Sequence, residues 1–214
     1  MQNRETFDHI HVQFQELETL DSLEKLNTFI KDNKLINSID SFYTKYPLVD
    51  FRLTVADIEK LKEDGIINPE TNKLAFQNFP DDPLSKLLAA VLWKNGDIHK
   101  VQHLIDGITC REGDRTQYSL VFKQYGASLS SEHEPIVDQH VLRAFEIYSL
   151  KGYSEPLVEK LRKKSLYKSN DKPILNKYRI WFVNVIEKVP ESQKTPFKEK
   201  LDKVLFQLGK KVKI

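Results

Sequence analysis

Cys110 is the only cysteine in 214 residues. No disulfide can therefore close within the chain. A four-cysteine iron–sulfur cluster and a cysteine-based zinc site are excluded with it. Long apolar runs are equally scarce: the longest, LLAAVLW from Leu87 to Trp93, falls far short of the roughly 20 residues a membrane-spanning helix needs. The opening MQNRETFDH carries no apolar signal segment. Together these absences lead us to expect a protein of a reducing compartment, the cytoplasm, with no membrane partner. P-loop, zincin and dinucleotide-binding signatures are missing, as is the G-x-S-x-G turn of a hydrolase. Ser128, Ser130 and Ser131 therefore read as loop serines.

Charge is present in both signs but unevenly placed. Residues 151–214 hold 17 Lys/Arg against 7 Asp/Glu, a net +10, whereas residues 1–150 hold 16 against 24, a net −8. An acidic body with a basic C-terminal third invites a polyanionic partner. A solvated lysine face accounts for the same charge without any partner. Histidines at i, i+4 (His99, His103) and i, i+2 (His9, His11) lack acidic or cysteine companions at metal-ligand spacing, so no metal is assigned.

Apolar spacing is helical nearly everywhere. Leu23, Leu26, Phe29 and Ile30 share a face behind Asp21 and Glu24, which have capping-box spacing. Helices are predicted from Thr54 to Gly65, from Asp82 through Pro83 to Gly96, and from Asp97 to Gly107. Ile174, Tyr178, Trp181, Val185 and Ile186 repeat helically before Pro190, and a last helix runs from Thr195 to Gly209. Two stretches could be extended: HIHVQFQ, with alternating Ile10, Val12 and Phe14, and GIINPETNKLAF, with a turn between short apolar runs. The expected fold is all-α, a compact multi-helix domain with at most one small β-hairpin. It is organised as an acidic part (1–80), a central part (81–150) and a basic part (151–214).

Chemistry concentrates in the central part. EPIVDQHVLRAFEIY, residues 134–148, puts Asp138 where an amphipathic helix begins, the favoured position for a capping carboxylate. Upstream, residues 107–126 join two helical segments through a polar turn, TCREGD, followed by Arg115, Thr116 and an apolar face of Tyr118, Val121, Phe122 and Tyr125. Helix, Gly-bearing turn, helix, loop, then VDQHV: over about residues 98–148 this order resembles the helix-hairpin-helix DNA glycosylase superfamily. Family members carry a Leu-Pro-Gly-x-Gly hairpin and a V-D-x-H-V stretch whose Asp is the catalytic residue. VDQHV, with Arg143 after it, matches the second element. TCREGD departs from the first and keeps only Gly113.

The resemblance implies DNA as partner, no cofactor, and Asp138 as the catalytic carboxylate. It would stabilise the sugar cation, or activate water against it, as the bond to the base breaks. Gly113, Arg115 and Thr116 would bind DNA phosphate. Trp93, Tyr118 and Phe122, with Trp181 also available, would hold an extruded base, although each aromatic is more commonly a core residue. Bifunctional members use a lysine near the position Arg115 occupies. Arginine stays protonated and cannot attack a sugar carbon, so base excision without strand cleavage is expected. Against this stands a non-catalytic helical module, binding nucleic acid or protein, in which Asp138 is only a cap and His140 only packs. Oligomeric state and the base recognised are not legible in the chain.

Overall fold

The computed structural model describes residues 2–45, 52–109 and 120–213. Eleven α-helices and two single-turn 3-10 segments make up the described secondary structure, and the fold is all-α. Among the described residues no helix is long and apolar enough to cross a membrane. The chain divides into two compact units, one of residues 1–49 and 137–214, the other of residues 50–136 inserted between them.

The first unit starts with α1 (Gln2–Glu18). HIHVQFQ lies wholly within it, so the extended alternative is overturned. Its apolar residues obey a longer period, with Phe7, Ile10, Phe14 and Leu17 buried on one face and Val12 exposed, the i, i+3, i+7 spacing of a helix. α2 (Leu23–Asp32) is capped by Ser22, whose side chain accepts from the Lys25 N–H. The expected cap, Asp21, instead pairs with Lys25 Nζ at 2.7 Å. α3 (Ile36–Lys45) follows. The C-terminal part supplies α8 (Gln139–Tyr148), α9 (Glu155–Lys163), α10 (Lys172–Ile186) and α11 (Glu191–Val212).

The core of this unit is aromatic and crosses large sequence distances. Phe14 stacks on Tyr148 with ring centroids 4.9 Å apart and meets Trp181 at 5.1 Å. The Tyr148 hydroxyl and the Trp181 Nε1–H both donate to Glu18 Oε1, each at 2.7 Å. One carboxylate thus ties α1 to α8 and α10, a charge-assisted arrangement stronger than neutral hydrogen bonds. Trp181 is accordingly a core residue, not a base platform. Gly209, expected to end the last helix, lies inside α11, which continues to Val212. A Cβ there would sit 2.3 Å from the His140 carbonyl oxygen, so packing, not helix termination, explains the glycine.

The second unit contains α4 (Val55–Glu63), α5 (Pro83–Lys94), α6 (Ile98–Ile108) and α7 (Leu120–Ser130). α4 opens with a capping box in which Thr54 and Asp57 each accept from the other's backbone N–H. α5 begins as read, with Asp82 accepting from the Ser85 N–H at 2.9 Å and Pro83 in the first turn. It stops before Gly96, whose φ of +70° suits a residue without Cβ. GIINPETNKLAF forms no strand: a single antiparallel bridge joins Ile67 and Leu74 around a turn in which Asn68 Oδ1 accepts the N–H groups of Glu70 and Thr71. Asn72, at φ +55°, then donates to Asp106 Oδ1 at 2.8 Å and pins the turn to α6. Ser128 and Ser130 fall in the last turn of α7, not in a loop.

α6 and α7 approach as closely as backbones allow. A Cβ on Gly107 would lie 2.0 Å from the Lys123 carbonyl oxygen, and one on Gly126 would lie 2.1 Å from that of Leu104. Gly107, expected to terminate α6, is thus a packing residue one position before its end. Ile58, Ile67, Ile105 and Ile108 form the small core beside this pair. Gly107→Ala and Gly126→Ala should each destabilise the protein by roughly 1–3 kcal/mol or more, as overpacking of a tight interior does. Gly152→Ala, with open space at its Cβ, should be nearly neutral. Urea midpoints of the three variants check this.

Candidate active site at the head of α8

The chain leaves the second unit at Ile136 and enters the first at Val137. Val137 is buried and anchors the approach to Asp138. Asp138 is the N-cap of α8, with extended backbone, and its Oδ1 accepts the Val141 N–H at 2.8 Å. Capping is therefore real. No side chain hydrogen-bonds the carboxylate among the described residues, and the residue is half-buried.

Burial makes it more basic. Desolvation pushes the Asp138 carboxyl above the ordinary carboxylate range. The Val141 N–H, the His140 N–H and the positive charge of Arg143 pull in the opposite direction but do not win. A helix start by itself favours the ionised carboxylate. Removal from water outweighs the helix N-terminus, and the result is a more basic carboxylate.

Its neighbours are fixed tightly. Arg143 is fully buried and donates through Nε and Nη2 to the Lys164 carbonyl at 2.9 and 2.6 Å. Its Nη1–H donates to His140 Nδ1 at 3.1 Å. A guanidinium can only donate, so Nδ1 must be the acceptor and His140 the neutral Nε2–H tautomer. Burial lowers the His140 pKa in the same sense, helped by Arg143, Lys213 and Lys210 and opposed by Asp138. The ring rests edge-on against Phe206, centroids 5.6 Å apart. Behind Arg143, Lys164 Nζ bridges Glu146 at 2.8 Å and Asp171 at 2.9 Å. Tyr167 donates to Glu146 at 3.1 Å, closing a polar network that holds the 164–171 segment on α8. Arg143 is a framework residue, not a surface cation for DNA.

Gly113, Arg115, Thr116 and Tyr118 lie outside the described residues. Trp93 and Phe122 belong to the second unit. Trp93, more commonly a core type, is 73% exposed on α5. Leu84, Leu87, Leu88 and Val91 of that helix are exposed too. Phe122 is half-buried, with Lys100 Nζ 5.1 Å from its ring centre. His99 and His103 meet edge-on, with ring centroids 6.1 Å apart. Among the described residues no group of three or more His, Cys, Asp or Glu could hold a metal ion.

Sequence reading missed four residues near the α8 head. Lys210 and Lys213 act on His140 electrostatically. Tyr178 is buried on α10, and its hydroxyl feels both Asp202 and Asp138. Asp202 on α11 has its carboxyl pushed up to about 7, chiefly by desolvation against the opposing charges of Lys198 and Lys203. A signal existed for the last. Asp202, Phe206 and Gly209 stand at i, i+4 and i+7, one face of a helix, and a carboxylate on an inward stripe is unusual. Comparison with protein-family models, curated proteins and solved structures finds no match for this chain.

Two outcomes follow for stability. Asp138→Ala should cost about 0.5–2 kcal/mol through loss of the cap, while Asp138→Asn, which can still accept the Val141 N–H, should cost less. For Asp202, the folded carboxyl titrates at about 7 and the unfolded one near the usual value of about 4. The folded state holds the extra proton in between, so this group's contribution is complete below about pH 4 and is lost as pH rises through 7. Asp202→Asn should therefore melt higher than wild type at pH 8, and the difference should vanish or reverse at pH 4–5. Thermal melts across that range check the sign.

Proposed function

We propose that the protein is a helix-hairpin-helix DNA glycosylase-like enzyme that hydrolyses an N-glycosidic bond through Asp138 and leaves the DNA strand uncut. The observation that carries this reading is a half-buried carboxylate at a helix start, accepting from one N–H of its own helix and acted on by the buried Arg143 guanidinium. A carboxyl made more basic by burial suits the role of general base. It takes a proton from water as the water oxygen bonds to the sugar C1′, the C1′–N bond breaks, and the base leaves with the bonding pair. His140 is a poor competitor for that proton, because Arg143 occupies its only lone pair. Lys210 and Lys213 supply positive charge beside His140, where a phosphate strand could lie.

A non-catalytic module remains the second reading, favoured by one specific observation: among the described residues, the hydrogen bond of the Asp138 carboxylate runs to its own helix. Assay of purified protein against duplexes containing uracil, alkylated purines and oxopurines separates the two. The enzyme reading expects base release from at least one duplex, a fall of 100-fold or more in Asp138→Asn, and retained duplex binding in that variant. Binding without release across the whole panel leaves the module. Lys210→Ala with Lys213→Ala should weaken binding alike on all sequences and flatten its salt dependence, since each phosphate contact releases counterion. An unchanged salt slope would remove these lysines from the interface.

A further inference from the structure

Helix α5 of the second unit is apolar, yet none of its residues is buried. Leu84, Leu87, Leu88 and Val91 are 64, 62, 55 and 51% exposed. Their i, i+3, i+4, i+7 spacing lays them along one stripe about 100° wide. Ser85, Ala89 and Leu92, all half-buried, mark the adjoining face by which the helix rests on its own unit. Trp93 is exposed as well but stands off the stripe. A helix of 12 residues is marginal by itself in water and relies on packing of its apolar face. Contiguous exposed apolar patches of this kind are rare on monomers and mark contact surfaces.

The charges at the two ends of the stripe indicate what it fits. Asp81 and the cap residue Asp82 stand at the N-terminal end and Lys94 at the C-terminal end, all exposed. Acid, four apolar residues, then lysine is an order complementary to its own reverse. A two-fold axis crossing α5 between residues 87 and 88 sets Leu87 against Leu88 of a second copy, Leu84 against Val91, and Asp81 against Lys94, with each pair repeated by symmetry. Asp81 already pairs with Lys86 of its own chain, but its side chain is 93% exposed and stays open to a second cation. Antiparallel helices also bring opposite dipole ends together. Parallel pairing would instead set acid beside acid and lysine beside lysine. An anionic lipid surface would be repelled by the two aspartates.

We propose that the α5 stripe is the interface of a homodimer, in which α5 packs antiparallel against α5 of a second copy of this chain. With 12 residues the helix is about 18 Å long. A strip of that length falls at the low end of interface sizes, under about 1,200 Å² in all, and fits a dissociation constant on the order of 10–100 µM. The pairing is independent of the chemistry proposed for Asp138.

Sedimentation equilibrium of the full chain tests the pairing. The apparent mass should rise with concentration from 25.0 kDa toward twice that value. Leu87→Glu puts a charge beside the two-fold axis and should raise the dissociation constant by about 30-fold or more. Its urea midpoint should stay at the wild-type value, because the side chain is exposed. Asp81→Lys or Lys94→Asp alone should weaken association about three- to tenfold, since symmetry spoils two pairs at once. An equimolar mixture of these two variants should associate more tightly than either alone, because both pairs are then opposite in sign. A chain that stays monomeric throughout overturns the proposal. Side-chain footprinting that then finds Leu87 and Leu88 protected assigns the stripe to another segment of the same chain, and footprinting that finds them open leaves it to a different protein. A dimer that survives Leu87→Glu, or charge variants without rescue in the mixture, overturns the antiparallel α5 pairing.

Discussion

Backbone meets backbone where α8 begins, and the candidate site depends on that meeting. The His140 carbonyl lies where a side chain at 209 would have to be, so only glycine lets α11 reach the first turn of α8. Once the helices are that close, the remaining contacts follow from their registers. Phe206 meets the His140 ring and Asp202 turns its Oδ1 inward, beside a cap carboxylate that is itself partly out of water. The basicity of Asp138 thus comes from its removal from water, which outweighs the N–H groups of its own helix start. A looser crossing would leave the carboxylate better hydrated and more acidic.

The same device recurs in the other unit, where Gly107 and Gly126 each give way to a carbonyl of the opposite helix. Close crossings of this kind leave few alternative arrangements, because no rotamer change can relieve a backbone clash. They suit a scaffold that must hold polar groups at fixed positions. The Asn72–Asp106 bond exploits that rigidity: a turn from elsewhere in the unit is anchored on a helix that cannot shift.

Much of the all-α architecture was legible because apolar spacing and caps are local signals. Pro83 after Asp82, the Thr54 start and the Asp138 cap all stand where the residues indicated. Other features were illegible for a common reason, since they depend on partners far away in sequence. Gly107 and Gly209 look like helix terminators until the opposing carbonyl is seen. Ile10, Val12 and Phe14 alternate like a strand until Phe7 and Leu17 show the longer period to be the buried one. Trp181 and Trp93 are the same residue type with opposite fates, one held by Glu18 and the other on an exposed face. The raised basicity of Asp138 was least accessible of all, because it turns on desolvation, which no short stretch of sequence encodes.

The interrupted first unit has a consequence for how the protein is made. Glu18 waits for Trp181, Asn3 for Arg162, and the Ser38 carbonyl for Gln207, partners 163, 159 and 169 residues away. During synthesis the inserted unit emerges complete, with its own small core and its glycine-crossed helix pair. α1 finds partners once α8 and α9 have emerged, but α2 and α3 must keep their apolar stripes open until α11 has followed. Long-range closure of this kind is slow, and chains that wait with exposed apolar surface are prone to aggregate. Nascent chains truncated before α11 would hold a finished insert inside an unfinished shell.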